Sequence, residues 1–317
     1  MTGAQRRVGA VVLTYNSSQD LPFCLAGLRA QRGVDLRVIV VDNASNRAER
    51  ERMKAIFREV LLSSHILAAD TAADPDTLAV FLHNDVNSGY SAGNNIGARF
   101  AAEIGCEAVL IVNPDVRIDD QDYVSSLLDL ITKNDKTAAA CSAVTNLSGL
   151  QENPMTEPRF IEELLWPVKM VFGRFLPKKG AFAALPTTSL RVERVSGACF
   201  LIRVDFLRLI GFFDETVFLY CEESILCAQA RAAGWHMIMD PLRHVIHTHR
   251  TNAKGDPLPR FRNWAESRSR FHATYGGYGA MGQALLAGSR SLMLAPVWAK
   301  TTFKQMLERV RQMSEGA

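Results

Sequence analysis

Long hydrophobic runs are missing from this sequence. No stretch reaches the roughly 18 uncharged apolar residues that a membrane-crossing helix needs, although 48% of the 317 residues are hydrophobic. A dominant charge is missing too. The formal net charge is only +3, which gives no global footprint for nucleic-acid binding. The six cysteines (Cys24, Cys106, Cys141, Cys199, Cys221, Cys227) are scattered, with no C-x-x-C pair. That spacing favours buried thiols in a reducing compartment over disulfides or a zinc site. The first residues have two arginines and a short apolar run, and they read as a strand, not as a signal peptide. No repeat and no low-complexity tract is present, and the first strand is not followed by G-x-G-x-x-G, which argues against a dinucleotide-dependent dehydrogenase.

What is present is an alternation. Apolar runs at Val8–Leu13, Leu36–Val41, Leu78–Leu82 and Ala108–Val112 read as strands. Between them lie helix-like stretches around Asp20–Gln31, Arg47–Val60 and Gly93–Ile104. Near-continuous apolar strands alternating with helices predict a mostly parallel sheet covered on both faces, an α/β fold. Such sheets bind ligands beyond the carboxyl ends of their strands. Polar residues stand in three of those places: Thr14, Tyr15 and Asn16, then Asp42, Asn43 and Ser45, then Asn113 and Asp115. From about 146 to 190 the pattern breaks, with five prolines. Strand-like residues return at Ala198–Ile202 and His236–Met239, and a helix is expected from about Glu222.

The ordered motifs VVLTYN, VVDNAS, NSGYSAGNNIG, NPDV, SGACFLIR, GFFDETVFLYCEES and HVIHTH resemble glycosyltransferase family 2, over about residues 8–250. The resemblance implies a GT-A fold with a Rossmann-like central sheet and flanking helices. It implies residues 1–250 as the catalytic domain, with 1–120 the nucleotide-binding half and 121–250 the acceptor and catalytic half. Residues 251–317 are expected to form a helical C-terminal extension. It also implies a nucleotide-sugar donor (dTDP- or UDP-), a Mg²⁺ or Mn²⁺ cofactor, and a glycan or lipid-linked glycan acceptor. Rhamnosyltransferases of cell-surface polysaccharide synthesis are the members it looks most like. A non-catalytic, sugar-nucleotide-binding relative is the alternative.

Individual residues carry two readings each. Asp42 suits a pyrimidine N–H, which the resemblance supports, or an Asx turn or helix cap made with Asn43, Ala44 and Ser45. The loop with Asn87, Gly89, Gly93, Asn94 and Asn95 suits a diphosphate near a helix N-terminus, or a tight capped turn. Asp115 is where the family carries its metal-binding acid. One carboxylate is enough there, because phosphate and water complete the shell. His247 is implied as a metal or phosphate contact, with His249 weaker; in a strand the two share a face. Glu223, with Glu222 beside it, is the implied general base at a helix N-terminus, where the ionised form is favoured. The family pattern has Asp at the position of Glu223 and a second Asp at that of Ile225. Asp214 and Gly197 are implied near the donor diphosphate or the acceptor pocket.

Two segments mix apolar stripes with cations: Phe160–Phe175 with Lys169, Arg174, Lys178 and Lys179, and a tail with Leu292, Met293, Leu294, Val297 and Trp298 among Lys300 and Lys304. They suit peripheral attachment to the inner face of a membrane, or packing on the catalytic domain. Cytoplasmic placement is the expectation in either case.

Overall fold

The computed structural model describes residues 6–61, 64–68, 74, 76–172, 187–248 and 257–293. In chain order the elements are β1 (Arg7–Thr14), α1 (Leu21–Arg29), β2 (Asp35–Asn43), α2 (Arg47–Val60), β3 (Ser64–Ala68), β4 (Ala79–Asn84), α3 (Tyr90–Glu103) and β5 (Ala108–Val112). They continue with β6 (Val116–Arg117), α4 (Tyr123–Thr132), β7 (Thr137–Asn146), α5 (Phe160–Leu164), α6 (Trp166–Phe172), β8 (Leu190–Val192), β9 (Cys199–Arg203) and α7 (Val204–Ile210). The last are α8 (Glu222–Ala232), β10 (His236–His247), α9 (Pro257–Thr274) and α10 (280–293).

The sheet runs β3-β4-β2-β1-β5-β9-β7-β10-β6, with β8 on β10. Its first five strands are all parallel, as the alternation predicts. Beyond β5 the sheet becomes mixed: β9 is antiparallel to β5 and β7, and β7 is parallel to β10. Apolar residues cover both faces. Val8, Ala10 and Val12 pack with residues of α1, α2 and α4 on one side. Val11, Ile39 and Val41 pack with residues of α3, α7 and α8 on the other. All six cysteines are free and buried. Burial pushes the Cys106, Cys199 and Cys227 thiols up to about 12, so these groups are inert at neutral pH.

The chain divides into two compact units. The sheet unit is 1–156, 181–218 and 222–249; the helical unit is 157–180, 219–221 and 250–317. The helical unit is therefore more than a C-terminal extension, because it takes α5, α6 and the 219–221 link from inside the chain. Within it α10 is packed: Leu286 is fully buried, and the Ser289 hydroxyl donates to Glu163 O at 3.1 Å. The apolar tail from Leu294 onward, His249, and the basic residues from Arg174 to Lys179 lie outside the described residues.

Candidate active site

The carboxyl edge of β2, β1 and β5 collects the first group of residues. Thr14 pairs with Asp42 in register, and its hydroxyl donates to Val41 O at 3.1 Å. Asp42 is fully buried, with the Arg50 Nε 3.1 Å and the His83 Nδ1 3.0 Å from its Oδ2. Its Oδ1 accepts the Ser45 N–H at 3.1 Å. The Ser45 hydroxyl in turn accepts the Asn16 N–H at 2.8 Å, and Asn16 adopts φ 53°. So Asp42 bonds back to its own loop, to an N–H three residues on, and fixes the strand-end loop from behind. Tyr15, 55% exposed, is the large side chain that this corner presents outward.

The repeated amides have a use inside the fold. The Asn43 Nδ2 donates to Asn87 Oδ1 at 2.9 Å and to Gly89 O at 3.1 Å. The Asn84 Nδ2 donates back to Asn43 Oδ1 at 2.9 Å. Asn95 clamps the 213–215 turn, donating to Phe213 O (2.9 Å) and Glu215 Oε1 (2.6 Å) and accepting the Phe213 N–H (3.0 Å). Asn94 donates to Tyr90 O at 3.0 Å and is buried. Gly89 opens α3 at φ 92°, where a Cβ would lie 2.3 Å from Phe218 O. Gly93 lies against Leu13, leaving no room for a methyl group. The loop is thus bound tightly to β2 and to the 213–218 segment.

Beyond β5 the sheet edge carries a row of three titratable groups. Asn113 donates its N–H to Ala198 O at 2.8 Å, and Asp115 O accepts the Thr248 N–H at 2.8 Å. These bonds bring Asp115 beside His247, the last residue of β10, whose Nε2 lies 3.3 Å from Asp115 Oδ1. The other ring nitrogen, Nδ1, is 2.8 Å from Glu152 Oε2. Glu152 is set by its own N–H, donated to Val144 O at 2.7 Å, and by Asn153, which accepts the Ser196 N–H at 2.9 Å. Burial opposes a charge on His247, but the Asp115 hydrogen bond and charge, with those of Glu152, prevail and hold it at about 9.

This row fits a divalent cation. Two ligand atoms about 3 Å apart span an octahedral edge when each metal bond is ~2.1 Å, close to the Asp115–His247 separation of 3.3 Å. A ligating histidine ordinarily gives its second N–H to a carboxylate, which Glu152 supplies. Among the described residues no three His, Cys, Asp or Glu side chains are grouped to hold an ion unaided.

The third group surrounds one residue, Gly197. The Gly197 N–H donates to Glu223 Oε1 at 3.1 Å, and Gly197 O accepts the Tyr90 hydroxyl at 2.6 Å. Glu222 and Glu223 open α8, and Glu222 is buried. Tyr90 is held well above its ordinary pKa by burial and by the nearby Glu223 and Glu222 charges, so it stays a neutral hydrogen-bond donor. Ile225 is buried at 2% exposure. Asp214 accepts the Thr216 N–H at 2.8 Å in a partly exposed turn. Gly197 precedes Ala198, which bonds to Asn113, so the Glu223 group and the Asp115 strand end share a backbone junction.

Three contributors escaped the sequence: His83 and Arg50 on Asp42, and Glu152 on His247. For His83 the sequence offered only its place just after the Leu78–Leu82 run; its register opposite Asp42 comes from the structure. Glu152 gave none, since it sits in the irregular segment after β7.

The family model for glycosyl transferase family 2 matches residues 10–211. A low-salt glycan biosynthesis hexosyltransferase of Haloferax volcanii is 25% identical over 228 residues, 67% of each chain. An N-acetylglucosaminyl-diphospho-decaprenol L-rhamnosyltransferase of Mycobacterium tuberculosis is 24% identical over 267 residues, 78% of each. Among solved structures, a mannosyltransferase of Pyrobaculum calidifontis in complex with GDP-Man and Mn²⁺ superposes with a TM-score of 0.56 at 16% identity, covering 96% of this chain and 81% of that one. With the alternating sheet and the polar strand ends already in view, these likenesses settle the classification: the chain belongs to glycosyl transferase family 2 and is a nucleotide-sugar-dependent glycosyltransferase.

Proposed function

We propose that the enzyme moves a hexose or deoxyhexose, with inversion, from a pyrimidine nucleotide sugar to a hydroxyl of a glycan or lipid-linked glycan. The observation that carries this reading is the Asp115–His247–Glu152 row at the strand edge, next to the junction that holds Glu223. Asp115 and His247 would hold Mg²⁺ or Mn²⁺, which offsets the charge growing on the departing diphosphate. Glu223 takes the proton of the acceptor hydroxyl as its oxygen attacks the anomeric carbon, help that is typically worth ~10²–10⁴ in rate. Two features of the fold suit that task. The N-terminus of α8 favours the carboxylate form, and the Gly197 N–H fixes one of its oxygens. Glu222 is buried beside it and is the weaker candidate.

Asp42 supports the nucleotide corner. Its carboxylate accepts the Ser45 N–H and meets the His83 Nδ1, and the Arg50 guanidinium 3.1 Å away supplies a compensating charge. The side chain is fully buried, so its part is to hold the strand-end loop on which Tyr15 and Asn16 would meet the pyrimidine. The Asn87–Asn95 loop serves by shaping the backbone around the donor. Rhamnose is the favoured sugar, in keeping with the mycobacterial L-rhamnosyltransferase, and dTDP is its favoured carrier. No described helix is long and apolar enough to cross a membrane. Exposed Ile161, Val168, Val171 and Phe172 on α5 and α6, with Leu165 between the two helices, suit contact with the inner membrane surface from the cytoplasm.

A thermal-shift screen of UDP-, dTDP- and GDP-sugars, with and without Mn²⁺, tests the reading. A ligand that binds only the folded form raises apparent stability in step with its affinity. The expected result is a shift for a pyrimidine nucleotide that needs Mn²⁺. A shift equally large in a chelator would overturn the metal assignment.

A further inference from the structure

Four segments of the helical unit line an open pocket of about 570 Å³, inside the range typical of small-molecule sites. Trp166 and Lys169 come from α6, Arg260, Phe261 and Trp264 from α9, and Tyr220 from the 219–221 link; two methionines complete the lining. Residues three and four apart share a helix face, so the spacing of these side chains turns both helices toward the cavity. Trp166 and Trp264 lie 4.9 Å apart by ring centroid, and Phe261 lies 5.9 Å from Trp264.

The walls are braced from behind. Glu163 on α5 is ion-paired with Arg268 of α9. It also lies 2.7 Å from the His272 Nε2, and its backbone oxygen takes the Ser289 hydroxyl of α10. Tyr220 sits at φ 74°, next to Leu219, whose oxygen accepts the Ser267 hydroxyl at 2.8 Å. The space is therefore built into the unit.

Its chemistry is one-sided. Aromatic and thioether surfaces form most of the wall, two cations join them, and the described lining includes no carboxylate. A free anion would have no use for the rings, and a neutral chain none for the cations. A ligand with an aliphatic chain ending in a phosphate uses both. We propose that this cavity binds the lipid phosphate portion of the acceptor, with the chain against Trp166, Phe261 and Trp264 and the phosphate on Lys169 and Arg260. The proposal rests on the lipid-linked acceptor reading above, and it names where that lipid is held. Tyr220 stands three positions before Glu223 in the chain.

Two tryptophans in the wall give a direct readout. Geranylgeranyl phosphate titrated into the full-length protein should change tryptophan fluorescence saturably. Geranylgeraniol should bind at least tenfold more weakly, and inorganic phosphate should have no effect. The double variant Lys169→Gln/Arg260→Gln, at two exposed positions, should lose at least tenfold in affinity for the prenyl phosphate while its Mn²⁺-dependent donor shift stays as in wild type. Trp264→Leu should weaken binding of both prenyl compounds. Failure of the prenyl phosphate to bind, or equal binding by the double variant or by the headless alcohol, overturns the cavity assignment. Transfer assays separate the two claims. If the double variant glycosylates a prenyl-diphosphate-linked sugar with wild-type KM, the cavity assignment falls and the acceptor reading stands. If the prenyl phosphate binds but no lipid-linked sugar is ever glycosylated, the acceptor reading falls, and with it the cavity's role in holding the acceptor.

Discussion

Substituting Gly197 by alanine should uncouple activity from stability. Gly197 does not occupy the left-handed region, so alanine fits its backbone, and loss of unfolded-chain freedom alone would stabilise by about 0.4–1 kcal/mol. The added methyl carbon would stand 2.6 Å from Glu223 Oε1, 3.3 Å from its Cδ and 3.4 Å from its Cγ. The carboxylate must then retreat by about 0.8 Å to reach ordinary contact distance. It is the end of a flexible side chain, so the fold survives, but the hydrogen bond that aims it is stretched or lost. Misplacing a reacting group by about 1 Å can cost about 10²-fold. A kcat 10- to 100-fold below wild type is therefore expected, about 1.4–2.7 kcal/mol in barrier. The donor KM and the melting temperature should hardly change. Steady-state kinetics beside a thermal melt make the check. A variant with wild-type kcat would refute the idea that the Gly197 peptide positions the base.

Two further outcomes follow from other parts of the molecule. His247 is held at about 9 by Asp115 and Glu152 against the cost of burial, and a metal must displace the Nε2 proton to bind there. Apparent Mn²⁺ affinity should therefore climb about tenfold per pH unit between pH 6.5 and 8.5, and His247→Gln should flatten that slope in a Mn²⁺ titration. Without metal the sign reverses. The raised pKa stabilises the fold fully below about 6.5, and that contribution disappears as pH rises through 9. In the helical unit, Glu163→Ala would strip the carboxylate from buried Arg268 and His272. Arg268 keeps Glu157 at 2.7 Å, so the loss should fall at the lower end of the ~3–5 kcal/mol that breaking a buried pair costs, readable by denaturant unfolding, whereas a loss under 1 kcal/mol would mean that the cluster is not a brace.

The parallel half of the sheet was legible because Val, Ile and Leu runs at β1, β2, β4 and β5 carry their own signal. β7 did not show, although it lies between β9 and β10, because Thr137-Ala-Ala-Ala-Cys-Ser has the small residues of a strand squeezed on both faces and few β-branched ones. β3 is a five-residue edge strand with His65 exposed, too short and mixed for a period to emerge. Site residues were visible where they followed a strand. Their partners were not: Glu152 meets His247 only because β7 and β10 pair in register at Asn146 and His247, a fact of tertiary structure. The asparagines of 87–95 were conspicuous in sequence, yet their hydrogen bonds go largely into holding their own loop.

Glu223→Gln tests the central claim most directly. With the purified enzyme, a nucleotide sugar, Mn²⁺ and an acceptor, the variant should bind the donor as wild type does and transfer sugar at least 100-fold more slowly, within the range a general base supplies. Transfer at close to the wild-type rate would contradict the account and leave the proton to another group.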